Sequence, residues 1–496
     1  MAKELNGNPT RSQILGVAQS DFNLAINDVT LHPLIAPNAA AFVQLVYIRQ
    51  SITRKPASLT FPLIGRLAQL IVDTNPQIKN AFLATYSHVF MDEFQDTTSV
   101  QYGLMKSIFG DSETVVTAVG DDKQKIMGWA GAQADSFGVF QRDFLKGGAP
   151  KGERHIALQL NYRSNARIVE ILNTLKNRLA PNEPDFKAAR PAPNLPPEKI
   201  CAVIYSPNAD SESKALASFV QSELGQGTSA RNIGLLVRQK ASEWEKKLTP
   251  ELAALGVTLR NEDRDVGGAS IQDLMTEPYA QVIVDALDLL SRRRGGGAWV
   301  RVLEHYAGME GILANEDPEG MQDISTKLGE FHVQNQIGKP DDTVEKSQVE
   351  ACIDKIEAFF GLGSLKALAP QYLQGDFFDR IRSATKAFLL ECGGARWSDM
   401  LSRYRGDNQV PLMTITKSKG LEYDIVVLLG LDDEQWWSFK NNPTEGHSTF
   451  FVAASRARER LFMTICKGQG TQKITEIYKL LQDAGVKGVE AHNWKA

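Results

Sequence analysis

The run His88-Val89-Phe90, followed by Met91-Asp92-Glu93-Phe94-Gln95-Asp96-Thr97, constrains the fold more than any other stretch. Apolar and β-branched residues that stop at adjacent carboxylates read as a buried strand delivering acid groups to its carboxyl edge. In open α/β sheets, ligands bind outside that edge. One carboxylate there can hold Mg²⁺, mostly through water, while its neighbour orients or deprotonates an attacking water. An Asp-Glu pair alone is a weak signal, because strand ends often carry solvated acids. The full string is much rarer.

The pattern recurs. Thr114–Val119 reads as a second strand that runs into Gly120-Asp121-Asp122-Lys123-Gln124-Lys125-Ile126-Met127-Gly128-Trp129-Ala130-Gly131-Ala132. A third, Ile156–Leu160, ends in Asn161-Tyr162-Arg163-Ser164. Far downstream stand Leu412-Met413-Thr414-Ile415-Thr416-Lys417-Ser418-Lys419-Gly420-Leu421-Glu422-Tyr423-Asp424 and Phe451-Val452-Ala453-Ala454-Ser455-Arg456-Ala457-Arg458. Such strands alternate with helical periodicity, as at Leu63, Leu67, Leu70 and Ile71, and this implies a mostly parallel sheet. The five blocks, in this order, resemble motifs II to VI of the UvrD/Rep-type superfamily 1 DNA helicases from about residue 59 onward. The resemblance implies an α/β fold with two RecA-like, P-loop NTPase-type parallel-sheet cores, the first incomplete at its N-terminus, and helical insertions. It also implies ATP hydrolysis driving 3′-to-5′ translocation on DNA and strand separation, with ATP and Mg²⁺ as cofactors and single-stranded and forked DNA as partners.

The same resemblance implies a role for each matching residue. Asp92 binds Mg²⁺, mostly through water, and Glu93 is the water-activating base. Gln95 and Asp96 link the nucleotide site to the domain interface. Gln124 senses the γ-phosphate; without its flanking residues it would read as a surface polar group. Arg163 and Arg456 clamp phosphate, since a guanidinium fork matches phosphate oxygens and stays charged. Either arginine alone would more often be a salt-bridge partner. Glu422 contacts the nucleotide sugar. Thr414 and Lys417 lie near the DNA backbone. Trp129 stacks on a base, an interaction worth roughly 1–3 kcal/mol that tolerates any sequence; its bland alternative is a packing residue. Tyr162 reads as structural.

One family motif is missing. The Walker A loop, G-x-x-x-x-G-K-[ST], cradles phosphates with its backbone N–H groups, and no Gly-Lys-Ser/Thr occurs in the sequence. Motif Ia and the adenine-reading Gln are not recognisable in residues 1–58 either. Three readings follow. The chain is N-terminally truncated, or it is one part of a split enzyme whose P-loop lies on a second polypeptide, or it is a degenerate, non-catalytic DNA-binding or scaffold subunit. Three departures bear on the last. Ala130 stands where motif III usually has Arg, Thr416 where motif V usually has His, and Glu445-Gly446-His447-Ser448 lacks the paired arginines of motif VI.

A chain of 496 residues, 43% hydrophobic and 23% charged, suits two to four soluble domains. Its net charge of −4 argues against wholesale coating of nucleic acid but allows a local basic groove. No run approaches the roughly 20 apolar residues that span a bilayer, so the expected compartment is cytoplasmic, with no membrane partner. The four cysteines and seven histidines show no metal-ligand spacing. The expected organisation is a mostly helical remnant over 1–87, a partial first RecA-like domain over 88–154, the second RecA-like domain over 155–270 and 396–496, and a helical insertion over 271–395. Six prolines between Pro181 and Pro197 mark an extended connector. The polar stretch Val333–Glu350 reads as a loop, and Arg292-Arg293-Arg294 as a solvated helix end.

Overall fold

The structure is a computed structural model that describes residues 9–55, 57–128, 131–133, 135–145, 156–393 and 396–494. They form two compact units. The first is drawn from Met1–Leu158, Arg178–Pro184 and Asn442–Phe451, and the second from Gln159–Asn177, Asp185–Asn441 and Val452–Ala496. Among the described residues, no helix is long and apolar enough to cross a membrane.

In the first unit, helices start where the sequence supplies caps. Asn38 accepts from Ala41 N ahead of Ala39–Thr53, and Thr60 accepts from Leu63 N ahead of Phe61–Thr74. Thr98 and Gln101 form a reciprocal capping box at the start of Ser99–Phe109. Two strands, β1 (His88–Met91) and β2 (Val115–Ala118), pair in parallel with Met91 opposite Ala118. Phe94, just past β1, is fully buried, with Phe137 and Phe140 packed edge-on at 5.2 and 5.4 Å. This side-chain lock fixes the direction in which the chain leaves β1.

The expectation of a buried strand at 88–90 is corrected here. Val89 and Met91 pack inward, but Phe90 is 73% exposed and His88 is exposed. Alternate residues of a strand face opposite ways, and this two-stranded ladder covers only one of its faces.

The second unit is built on a seven-stranded sheet, preceded by a two-stranded parallel ladder of β3 (Leu160–Asn165) and β4 (Lys187–Arg190). The seven strands are β5 (Cys201–Ser206), β6 (Ile233–Val237), β7 (Thr258–Asn261), β8 (Gln409–Thr414), β9 (Tyr423–Leu429), β10 (Ala457–Cys466) and β11 (Lys487–Glu490). Their order is β11-β5-β10-β9-β6-β8-β7, and every neighbouring pair is parallel. Central strands of such a sheet are covered on both faces and read as continuous apolar runs; every residue of β6 is buried. Two local expectations change. The third strand is β3 and contains Asn161–Asn165 instead of ending before them, because Ser164 and Asn165 bond to the main chain of Ala457 and Glu459. The proline-rich connector also holds the edge strand β4 and the single helical turn Pro197–Ile200.

Residues 271–405 form the helical body of this unit around Pro278–Leu290, whose Tyr279, Val282, Ile283, Leu287 and Leu290 are buried. The loop expected over 333–350 is shorter, because one helix runs to Gln334 and the next begins at Lys346. Two polar knots tie the helices. Tyr279 Oη donates to Glu357 Oε1 at 2.7 Å, and Arg382 also donates to Glu357. Arg301 bridges Asp285 (2.8 Å) and Asp288 (2.9 Å), with Arg405 and His305 completing the cluster. Burial opposes ionisation of Asp285, yet hydrogen bonds from His305 and Arg301 and the charge of Arg405 hold its carboxyl below the usual range. A depressed carboxylate stabilises the fold above its unfolded pKa and loses that contribution as pH falls through the folded value. The stability gap between wild type and Asp285→Asn is therefore expected to shrink below about pH 4. Urea titrations at stepped pH measure it; a gap that persists into strong acid would show that the knot acts through packing alone.

The four cysteines are buried and free, and burial pushes the Cys201 and Cys466 thiols up to about 12 and those of Cys352 and Cys392 up to about 11. They are packing residues at neutral pH.

Candidate functional site

The sequence-derived candidates fall into separate clusters. In the first unit, Asp92 and Glu93 stand at the carboxyl end of β1, both exposed. Glu93 adopts a left-handed backbone, φ 48° and ψ 40°, which is uncommon for a residue with a side chain. Three contacts hold it there. Its N–H donates to Asp92 Oδ1 at 2.8 Å, Gln95 Nε2 donates to Glu93 Oε2 at 2.5 Å, and Phe94 N donates to Val119 O at 2.9 Å.

Gln95 is fully buried, and its Oε1 accepts from Asp121 N at 2.9 Å. One amide thus joins the carboxylate after β1 to the loop after β2. Gln124 lies in that loop, with Nε2 3.0 Å from Asp121 Oδ2. Lys123 pairs with Asp121 at 2.7 Å and Glu183 at 2.5 Å. A Cβ on Gly120 would lie 2.3 Å from Gln95 Oε1 and 2.9 Å from Phe94 N, so only glycine allows this approach. Gly120→Ala is expected to destabilise the first unit by about 1–3 kcal/mol through overpacking. Urea unfolding checks this, and an unchanged midpoint would show that the Gln95 bridge is not rigid. Trp129 and Ala130 lie outside the described residues.

The second unit assembles another cluster. Arg163, within β3, donates from Nε to Glu422 Oε2 at 2.6 Å and from Nη1 to Ser455 O at 3.1 Å. Asn161 Oδ1 accepts the N–H groups of both Arg163 and Ser164, at 3.0 and 2.8 Å, and so shapes the turn that presents Arg163. Arg456 is only 2% exposed, and its guanidinium bonds Val452 O, Leu421 O and Ser455 Oγ at 3.1, 3.3 and 2.8 Å. Tyr423 N donates to Arg456 O at 2.9 Å, which ties the start of β9 to the start of β10. Arg458, half-exposed, stands 3.7 Å from Glu422 and 3.5 Å from Asp424. The Arg163 hydrogen bond, with the charges of Arg458 and Arg456, holds the Glu422 carboxyl below its usual range despite some burial.

Glu422 and Arg456 immediately precede β9 and β10, so this cluster lies at the amino edge of the parallel sheet. Thr414 ends β8 and therefore lies at the opposite edge, where its N–H donates to Asp263 Oδ2 at 2.8 Å. Lys417 follows it, bonded to Ser270 Oγ and 3.4 Å from Asp273 Oδ1, with Gln272 donating to its carbonyl. The structure thus brings Arg163, Glu422 and Arg456 together and sets Thr414 and Lys417 apart from them. Tyr162, expected to be structural, is 73% exposed because alternation along β3 points it away from the core. Sequence reading gave no role to Asn161 or Arg458, although each sits two residues from a singled-out arginine.

The fit of Mg²⁺ follows from the donors. Asp92 and Glu93 are exposed acids at a strand end, and Mg²⁺ keeps several waters and needs only one or two carboxylates. Among the described residues, no three His, Cys, Asp or Glu side chains group as a complete metal cage. The donor set suits a hydrated ion that takes one or two carboxylates.

Residues 37–145 match the UvrD/REP helicase N-terminal domain, and residues 397–468 match the UvrD-like helicase C-terminal domain. The chain is similar to a probable DNA helicase II homolog of Mycoplasma capricolum, 25% identical over 467 residues that cover 86% of this chain and 62% of the relative. It is also similar to DNA helicase II of Haemophilus influenzae (25%, covering 82% of this chain and 59% of the relative). The ATP-dependent DNA helicase Rep of Escherichia coli is 23% identical, with 82% of this chain and 64% of the relative covered. The chain spans about six tenths of the length of these curated relatives.

Proposed function

The chain is of the UvrD/Rep helicase type, and from that premise we propose that it serves ATP-dependent 3′-to-5′ movement along single-stranded DNA and the separation of strands. The observation that carries this reading is the gathering of Arg163, Glu422 and Arg456, which lie far apart in sequence, at one sheet edge of the second unit.

In hydrolysis, a water attacks the γ-phosphorus, its proton passes to a base, and ADP leaves with the electron pair of the broken P–O bond. Glu93 is the base, held by Gln95 and by its own strained backbone. Bound Mg²⁺ supplies charge neutralisation on the phosphate oxygens, and Asp92 is the residue that holds it. Gln124 reports the γ-phosphate to the first unit through Asp121 and Gln95. Arg163 and Arg456 offset charge developing on the transferring group. Glu422 receives the nucleotide sugar, and Thr414 and Lys417 approach the DNA backbone. This reading requires a phosphate cradle, and the sequence has no Gly-Lys-Ser/Thr to form one.

A non-catalytic DNA-binding subunit is the second reading, and one observation favours it. His447, where the family has arginine, is buried and bonds Pro443 O within its own helix through Nδ1.

Both readings expect the purified chain to bind single-stranded DNA better than blunt duplex, with strong salt dependence, since backbone charge and base stacking dominate. Both also expect negligible ATPase from the chain alone. Fluorescence anisotropy and a DNA-stimulated ATPase assay check both expectations, and the same ATPase assay with a phosphate-binding loop supplied separates the readings: the motor turns over and the non-catalytic subunit does not. Equal affinity for duplex would count against both readings. Robust turnover abolished by Glu93→Gln would show that this chain holds its own phosphate site.

A further inference from the structure

Arg458 has no part in the steps above. It stands at the start of β10, where the ladder with β9 is irregular. Tyr423 pairs with Ala457 but Ile425 pairs with Arg460, so Asp424 faces two residues, Arg458 and Glu459. An extra residue of this kind is a bulge; bulges are rare in parallel ladders, and beside functional sites they re-aim side chains. Here the bulge sends two neighbours apart. Glu459 bonds Arg190 and Asn165, while Arg458 turns to Glu422 and Asp424.

Four charges then alternate across the amino edge of the sheet. Arg163 Nε donates to Glu422 Oε2 at 2.6 Å, and the other oxygen of Glu422 lies 3.7 Å from Arg458 Nη1. Arg458 Nε lies 3.5 Å from Asp424 Oδ1, and Asn232, just before β6, donates from Nδ2 to Asp424 Oδ2 at 2.7 Å. The row is tight at both ends and loose at Arg458. Its four charged side chains are 31–44% exposed, so each has room to change rotamer. Arg456 stands beside the row, but its guanidinium is buried and bonded to Val452 O, Leu421 O and Ser455 Oγ. Arg458 is the guanidinium that can follow Glu422.

We propose that Arg458 is a positioning residue for Glu422: when Arg163 turns from Glu422 to a phosphate, Arg458 closes on the freed carboxylate and holds it. This rests on the roles proposed above for Arg163 and Glu422. Closing from 3.7 Å to the roughly 2.8 Å of a charge-assisted hydrogen bond is a small movement. It breaks no short bond of Arg458, and Asp424 keeps its bond from Asn232. Without Arg458, the departure of Arg163 would leave Glu422 as an uncompensated acid beside an incoming polyanion. An exposed ion pair adds little stability, so the effect of Arg458 is expected in the environment of Glu422 and not in Tm.

Arg163→Ala imitates the departure of Arg163 and needs no nucleotide. The Glu422 carboxyl is followed by ¹³C NMR titration of the full chain, with Glu422→Gln identifying its resonance, over the pH range in which circular dichroism shows the fold intact. The Arg163 hydrogen bond, with Arg458 and Arg456, holds this carboxyl below its usual range in the wild type. In Arg163→Ala it is expected to stay low, and in Arg163→Ala with Arg458→Gln to shift upward toward the ordinary range. Arg458→Lys in place of Arg458→Gln should keep it low. An ordinary titration already in Arg163→Ala, or no further shift when Arg458→Gln is added, would overturn the inference. A crystal structure of Arg163→Ala gives a second reading: Arg458 is expected within hydrogen-bond distance of Glu422, and an Arg458 still 3.7 Å away would overturn it too. Neither measurement depends on ATP turnover, so the inference and the proposed function fail separately.

Discussion

With a phosphate-binding loop supplied, on the same polypeptide or on a partner, Arg163→Ala is expected to lower kcat for ATP hydrolysis by about 10³–10⁵-fold. Arg163 is the more accessible of the two arginines proposed as the clamp, and among the described residues its Nε and Nη1 are engaged, by Glu422 and Ser455 O. A phosphate can therefore recruit its remaining donors without unfolding anything. Affinity for single-stranded DNA should be nearly unchanged, because Thr414 and Lys417 lie at the other edge of the sheet. Arg456→Ala should reduce turnover too, but for a second reason. That side chain is buried and bonds two main-chain carbonyls and a hydroxyl. Losing those bonds loosens the junction between β9 and β10. Comparing kcat with thermal stability separates the two: Arg163→Ala should leave Tm in place, and Arg456→Ala should lower it. Equal kcat for wild type and Arg163→Ala in a complex that hydrolyses ATP would remove Arg163 from the phosphate clamp.

Phe462→Ala is expected to cost the second unit about 3–5 kcal/mol, the range for deleting a buried aromatic side chain. Phe462 is fully buried in β10, near the middle of the seven-stranded sheet. Its ring meets Phe219 edge-on at 5.1 Å and Trp494 at 5.4 Å, with the Arg460 guanidinium 5.3 Å from its centroid. Removing it opens a void on which two other rings and a buried Arg460–Glu223 pair depend. Denaturant unfolding monitored by Trp494 fluorescence gives the change. A shift under about 1 kcal/mol would mean that Phe219 and Trp494 collapse into the space, far outside the usual cost for such a site.

Much of the fold was legible. Strands β6, β8, β9 and β10 announce themselves as apolar runs because both faces of a parallel sheet are covered. The two helices between Phe61 and Thr85 follow from Leu63, Leu67 and Phe82 at helical spacing. The short edge strands β7 and β11 escaped notice. Thr258–Asn261 and Lys487–Glu490 are four residues each, and their polar members leave no periodic signature. Strand β5 was hidden by the prolines just before it, although Cys201–Ser206 is almost wholly buried.

For the site, the sequence by itself determined which residue types stand in which motif, and hence the kind of chemistry each can do: carboxylates after β1, an amide in the loop after β2, arginines in two distant blocks. Only the tertiary structure decided how they are used. The partner of Arg163 lies 259 positions away at Glu422. Parallel strands are joined by long crossovers, so nothing local says which strand ends become neighbours, or that the arginines gather at the amino edge while Thr414 and Lys417 take the carboxyl edge. Burial is likewise a property of the whole unit. It turned Arg456 onto main-chain carbonyls and made Gln95 the bridge between two loops.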